Sequence, residues 1–257
     1  MHSPTDPPPG PSDGTPPVTP PTLQAEPRQR WRIVFRRGPV PVELVGRVAI
    51  DAWQSALIES GLHLAQLDPG GRPRVAFGAP LPAAAEGEAE LAEIFLAERV
   101  PAWRIREALT DRMPPRHVFL SAEDVWLGAP PLPGRVVAAD WRVHVQASGV
   151  ETGRLAGAAA QLVAARSLPR IRSKAGVDKA YDLRPLLGDV CLGPRDVGED
   201  EPIIVRIRTR LRPELGSGRP DEVIAALGEA AGTELSVIRT IRERLVLAGD
   251  AVTEPAG

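Results

Sequence analysis

Residues 29–37 read QRWRIVFRR, and the fold class turns on how they are read. Trp31, Ile33 and Phe35 alternate with Arg30, Arg32, Val34 and Arg36, the period of a strand that buries one face and leaves the other polar. In the second half of the chain, DWRVHVQ from Asp140 has the same Trp-Arg start and the same alternation. A repeated opening strand implies a repeated unit.

After the first strand, Leu44, Val48, Ala52, Trp53, Leu57 and Ile58 recur at helical spacing between Val42 and Ser60, and Gly61 supplies a stop. A turn at residues 68–71 (DPGG), a strand RPRVAFGA and a second extended stretch ELAEIFLAE follow. A helix is predicted from Pro101, with proline in its first turn, to Met113, and HVFLSAEDV closes the unit. The order is β-α-β-β-α-β, the ferredoxin-like pattern. After the Pro/Gly-rich GAPPLPG (128–134), a second set begins: the strand at Asp140, an alanine-rich helix from Gly153 to Ser167, and two short strands around a basic loop between Arg170 and Leu192. The strand PIIVRIRTRLRP, a helix from Pro220 to Ala231 and the strand LSVIRTIRERLVL complete it. The predicted fold class is therefore α+β, two tandem ferredoxin-like (βαββαβ) units after a disordered Pro-rich N-terminal tail. The expected boundaries are 1–28 for the tail, 29–127 for the first unit, 128–139 for the linker, 140–248 for the second unit and 249–257 for a flexible C-terminal tail. Residues 1–28 hold almost no large apolar side chain to offset the entropy of ordering them.

Composition narrows the function classes. A formal net charge of -2 gives no global case for a polyanionic partner, so any such case rests on local clustering. Cys191 is the only cysteine, which excludes a disulfide framework and an iron–sulfur cluster held by this chain, and a buried, inert thiol is expected there. No run approaches the roughly 18 apolar residues of a membrane span, and the N-terminus lacks a signal peptide, so no membrane partner and a cytoplasmic location are expected.

Two clusters of positive charge stand out. In Val205–Arg212, strand alternation places Arg206, Arg208, Arg210 and Arg212 on one face. Helices cover one side of a ferredoxin-like sheet and leave the other for a partner, as in RNA-recognition domains. Arg142, His144 and Gln146, and Arg30, Arg32 and Arg36, are expected to extend such surfaces. Trp31 and Trp141 fall on the core face, so no aromatic platform for base stacking is expected there, and electrostatics would dominate binding. The second cluster, RSLPRIRSKAGVDKAYDLRP, gathers Arg166, Arg170, Arg172, Lys174, Lys179 and Arg184, and its Ser-Lys-Ala-Gly-Val turn could offer backbone N–H groups and a lysine to a phosphate. Solvated charge balanced by acids is the alternative for both clusters. The carboxylates of AEGEAELAE read as a solvated acidic connection. No two of His2, His63, His117 and His144 stand at helical metal-site spacing, and no serine nucleophile signature occurs, so no metal or cofactor is expected.

The chain resembles a bacterial family of unknown function, the radical SAM-linked proteins. The likeness is carried by QRWRIVFRRGPV, AWQSALIESGL, GRPRVAFGAPLP followed by GEAE, KAYDLRPLL and GSGRPDEVIAAL, and spans nearly all of residues 29–248. It implies a partnership with a separately encoded radical SAM enzyme and work on RNA. The sequence departs from the family where a Ser-His-Leu-Asp run is usual, reading Val45-Gly46-Arg47-Val48, and where Gly-Phe-Asn-Pro is usual, reading Asp68-Pro69-Gly70-Gly71. Asp182-Leu183-Arg184-Pro185 and Gly216-Ser217-Gly218-Arg219-Pro220 are kept, so a retained function is expected in the second half.

The sequence supports three readings. The first is a non-catalytic accessory protein that offers RNA, or the enzyme itself, a cationic surface of Arg170, Arg172, Lys174, Lys179, Arg184, Arg206, Arg208, Arg210 and Arg219. The second is a metal-independent endoribonuclease of the tandem ferredoxin-like type, with His144, Tyr181 and Lys174 as its acid–base set. The third is a structural or interaction protein whose arginines are solvated.

Overall fold

The computed structural model describes residues 25–250 apart from 66, 69, 148–149, 175 and 195–200, and the side chains of 173, 174 and 177 are outside the description. Most of the expected N-terminal tail and C-terminal tail therefore lies outside the described residues.

In the first half, β1 (Gln29–Arg37) leads through a single 3-10 turn to α1 (Arg47–Glu59), then β2 (Ala76–Phe77), β3 (Glu86–Leu96), α2 (Ala102–Leu109) and β4 (His117–Val125). α1 starts later than its apolar spacing predicts, because Gly46 turns the chain at φ +65° immediately before it. β2 is shorter than predicted. Pro73 and Pro80 flank it, and proline cannot extend a ladder.

The second half begins with the single turn α3 (Leu132–Arg135) and β5 (Val136–Gln146), so the expected linker is partly helix and partly strand. α4 (Thr152–Ala164), the hairpin β6 (Pro169–Lys174) and β7 (Val177–Asp182), β8 (Leu187–Leu192), β9 (Ile203–Arg212), β10 (Gly216–Ser217), α5 (Pro220–Ala231) and β11 (Ser236–Leu247) follow. The region between Arg170 and Leu192 thus holds a hairpin outside the main sheet and a third strand, rather than the two short strands expected.

Among the described residues the result is a mixed α+β protein with a nine-stranded mixed sheet, a separate two-stranded sheet and five helices. Within the first half, β4 pairs with β1, β1 with β3 and β2 with β3; within the second, β11 pairs with β5, β5 with β9 and β8 with β9. All of these pairs are antiparallel, and the orders β4-β1-β3-β2 and β11-β5-β9-β8 correspond; the second half adds β10, paired with β9, and the β6–β7 hairpin, which have no counterpart in the first. A short parallel ladder between β11 and β3, Ile241 to Glu86 and Arg242 to Gly87, joins the two sets into one sheet. No helix among the described residues is long and apolar enough to cross a membrane.

Each half has its own core. Trp31, Ile33 and Phe35 of β1 meet Trp53 and Leu57 of α1 and Ile105 and Leu109 of α2. Trp141, Val143 and Val145 of β5 meet Leu155 and Leu162 of α4 and Val223 and Leu227 of α5. Alternation therefore assigns the covered face of both opening strands as the sequence predicts.

The polar faces differ from expectation. Arg30 and Arg32 are buried, both bound to Glu93 of β3, which has no exposed surface. Glu93 stands directly opposite Arg32 in the register, so the pair is a cross-strand neighbour placed by the ladder. The acidic stretch expected to be solvated is instead the counter-charge of the arginines: Glu86 binds Arg239, Glu88 binds Arg142 and Glu90 binds Arg242.

Candidate functional site

Alternation on β9 holds as predicted, with Val205, Ile207 and Thr209 buried and Arg206, Arg208, Arg210 and Arg212 on the opposite face. A hydrogen bond from Trp141 Nε1 to Thr209 Oγ1, 2.9 Å, ties the covered sides of β5 and β9 together. The open face is a mosaic of paired charge. Arg208 forks onto Asp140 of β5 at 2.6 and 3.0 Å, and Arg244 of β11 reaches the same carboxylate at 2.8 Å. Burial acts to raise the Asp140 carboxyl, but the hydrogen bonds from the two guanidinium groups outweigh it and hold the group below its usual range. Arg142 pairs with Glu88 at 2.5 Å, and Glu243 lies 3.5 Å away. Arg206, Arg210 and Arg212 form no ion pair among the described residues.

Cys191 sits opposite Arg206 in the ladder and is exposed, not buried as expected, because β8 is an edge strand and this residue points to the open face. Its thiol is pushed up, by loss of water around it first and by Asp189 second, against the pull of Arg206. It therefore stays a neutral thiol near neutral pH.

The second basic cluster divides into three kinds of residue. Arg172 is clamped onto Glu222 of α5 at 2.9 and 2.8 Å and lies over the Tyr181 ring, 4.6 Å from its centroid. Burial, and then the Glu222 carboxylate, push the Tyr181 hydroxyl up to about 12. Arg170 lies 3.1 Å from Glu229 of the same helix. These two arginines dock the hairpin on α5, so their charge is already matched. Lys179 and Arg219 are exposed, the latter preceding α5 as its N-cap residue. Lys174 lies at the hairpin tip.

The Arg184 guanidinium is engaged by the backbone. Its Nη2, Nε and Nη1 donate to the carbonyls of Val163 at 2.7 Å, Ala165 at 3.0 Å and Leu187 at 2.9 Å. Asp182 Oδ1 accepts from the backbone N–H of Leu168 and of Arg184. The Asp-Leu-Arg-Pro segment thus closes the end of α4, supplying donors for carbonyls that a helix C-terminus leaves open. In Gly-Ser-Gly-Arg-Pro, a Cβ on Gly218 would stand 2.5 Å from the Leu186 carbonyl oxygen, so this motif too is packed against its neighbour.

The acid–base set of the nuclease reading is not assembled. His144 is on the open face of β5, among Arg142, Arg239 and Glu86, whereas Tyr181 lies against α5 on the covered side. Burial first, and then the two arginines, keep the His144 imidazole below its ordinary value, so it is neutral near pH 7.

Trp126, just beyond β4, is a residue that strand alternation does not single out. Its only local signal is a tryptophan beside a Leu-Gly turn at a strand end, and its indole is 77% exposed.

These features define a mixed α+β protein with one helix-covered sheet whose open face is studded with arginine. The family model described as an uncharacterized protein conserved in bacteria (DUF2344) matches residues 70–216, and the chain belongs to that family. No curated protein matches the sequence. Among solved structures, the chain is similar to one in the crystal structure of a Cbf5-Nop10-Gar1 complex, at 9% identity and a TM-score of 0.51, covering 84% of this chain and 48% of that one. A chain in the crystal structure of the archaeal box H/ACA sRNP Nop10-Cbf5 complex aligns at 10% identity and a TM-score of 0.44, with the same coverage. The chain spans about half the length of these structures.

Proposed function

We propose that the protein is a non-catalytic, cytoplasmic RNA-binding accessory of a separately encoded radical SAM enzyme, built as two tandem ferredoxin-like units at 29–127 and 140–248. The observation that carries the RNA reading is the row of Arg206, Arg210 and Arg212 on one side of β9, each without an acidic partner among the described residues. Their neighbours Arg208, Arg142 and Arg244 are each paired with Asp140 or Glu88, so on the open face of the second half the unpaired charge is concentrated on this strand. Lys179 and Arg219, exposed on the same half, supply further cations. A phosphate backbone is the partner that such a spaced row fits. The tandem-unit reading is supported by the matching order of four strands in each half, and the enzyme partnership by the sequence resemblance.

The test is titration of the purified chain with a structured RNA at two salt concentrations. Binding is expected at low salt, weakening at high salt. The Arg206→Ala/Arg210→Ala variant is expected to lower the salt slope by about one for each phosphate its arginines would have met. Absence of binding at low salt, or identical binding by the variant, refutes the RNA reading. In that case, recovery of the radical SAM enzyme alone in a pull-down identifies the cationic row as a protein-binding surface.

A further inference from the structure

Among the described residues the open face of the sheet offers charge but no freely exposed aromatic ring: Trp31 and Trp141 are on the covered face, and Phe95 is half-buried beneath Arg30. The other end of the molecule offers both. At the end of β4 the chain turns through residues 126–129, closed by a hydrogen bond from the Ala129 N–H to the Trp126 carbonyl at 3.0 Å. A Cβ on Gly128 would stand 2.5 Å from the Trp126 ring, so the indole is laid against a backbone that only glycine leaves open. One edge of the ring is thereby supported, while the residue stays 77% exposed.

A buried charge holds this turn in place. Arg30, whose charge is met by Glu93, donates onward to the carbonyls of Ala129 at 2.6 Å and Pro130 at 2.9 Å. The arginine that the sequence suggests for a solvent-facing surface is thus an anchor. It fixes the segment that displays Trp126 before any ligand arrives, which lowers the ordering cost of binding.

Trp126 lines a pocket of about 210 Å³ together with Arg28, Gln29, Arg99, Asp124, Val125 and Leu127. Its floor is fixed: Gln29 Nε2 donates to Asp124 at 2.7 Å, and Gln29 Oε1 accepts from the Val100 N–H at 2.9 Å. The volume is below the roughly 300–1,000 Å³ of pockets that enclose a whole small molecule. A space of this size suits a single ring rather than a whole nucleotide. Arg28 and Arg99 are exposed and form no ion pair among the described residues, and against the single Asp124 carboxylate they leave the lining net positive, which favours an anionic group beside that ring. An aromatic platform flanked by guanidinium groups is the arrangement that binds an unstacked base and its phosphate.

We infer that Trp126, with Arg28 and Arg99, is a stacking site for one unpaired base of single-stranded RNA. The inference takes the identity of the polymer from the RNA reading above but uses a different face and different residues.

The experiment titrates the full chain with fluorescein-labelled hexaadenylate and, separately, with the structured RNA. The proteins are wild type, Trp126→Ala, Trp126→Phe and Arg206→Ala/Arg210→Ala. Trp126→Ala is expected to weaken hexaadenylate binding by roughly 5- to 150-fold, the range for loss of one base–aromatic stack, and Trp126→Phe to retain most of it. Its thermal midpoint should match wild type, since the indole is exposed. Loss of hexaadenylate binding in Trp126→Ala, with structured-RNA binding unchanged in Arg206→Ala/Arg210→Ala, upholds this site and removes the β9 reading. Equal hexaadenylate binding by Trp126→Ala and wild type overturns this site alone. No binding of either RNA by wild type overturns both. A synthetic peptide of residues 1–24 is the control: if it quenches tryptophan fluorescence in wild type but not in Trp126→Phe, and hexaadenylate quenches neither, the platform takes a proline-rich segment and the inference fails.

Discussion

Arg242 of β11 and Glu90 of β3 form a buried ion pair across the seam between the two halves, with Nε to Oε1 at 2.8 Å and both side chains almost wholly out of solvent. The guanidinium also donates to the carbonyls of Pro80 at 2.9 Å and Ala79 at 3.0 Å, and lies over the Trp141 ring. Arg37 holds the other end of the same loop through the carbonyls of Leu81, Pro82 and Ala85. Only two register pairs join β11 to β3, so the ion pair and its loop carry much of the seam. Glu90→Ala is expected to lower stability by about 3–5 kcal/mol, because it strands a buried guanidinium. The double variant Arg242→Met/Glu90→Leu should recover most of that loss. Urea unfolding of the three proteins checks the order.

Arg184 gives a second prediction, one that separates structure from binding. Arg184→Ala uncovers the carbonyls of Val163, Ala165 and Leu187 and should cost about 1–3 kcal/mol, read by thermal or urea unfolding. Arg184→Lys should recover little, because a single ammonium cannot reproduce the planar fork that reaches three acceptors. RNA affinity of the folded variants should match wild type.

A third prediction concerns charge on the open face. Asp140→Asn removes the carboxylate shared by Arg208 and Arg244 and leaves both cations unpaired. Structured-RNA affinity at low salt is expected to rise, with a salt slope steeper by about one to two. The same titrations measure it.

The fourth is a pH dependence. His117 packs between Phe35 and Trp53, its Nδ1–H donating to the Pro115 carbonyl at 2.9 Å, and burial first, with Arg37 adding to it, lowers its pKa from 6.5. A histidine with a depressed folded pKa binds fewer protons folded than unfolded. Its contribution is complete above the unfolded value and is lost as pH falls through the folded one. Thermal midpoints measured between about pH 7 and 5 should fall less steeply in His117→Phe than in wild type.

The strands and helices are legible in the sequence wherever the signal is local. HVFLSAEDV and the helix from Pro220 to Ala231 occupy the residues their periodicity and first-turn proline predict. Strand β3 runs longer than its local signal, because its first residues are held by long-range partners: Glu86 pairs with Ile241, and Gly87 with Arg242 on one side and Arg37 on the other. The Asp-Leu-Arg-Pro motif is legible as important but not as a helix closure, since its acceptors lie 19 and 21 residues away and in the next turn. The Leu-Gly turn beside Trp126 is legible, but the exposure of its ring is not, because exposure depends on what fails to cover it.

Residue order alone specifies which side of each strand is apolar, hence the two cores under Trp31 and Trp141. It leaves open the fate of the opposite side. Arg30 and Arg206 sit in nearly identical alternating strands, yet one is buried on Glu93 and the other is exposed beside Cys191. The difference lies in the neighbouring strand. β3 brings glutamates into register with β1, and the 126–131 segment folds over them, whereas β8 presents a thiol and a single aspartate to β9 and nothing described closes over it. Alternation is a property of one strand. Whether its charges are neutralised, buried or free is decided by the partner that the tertiary fold sets beside it.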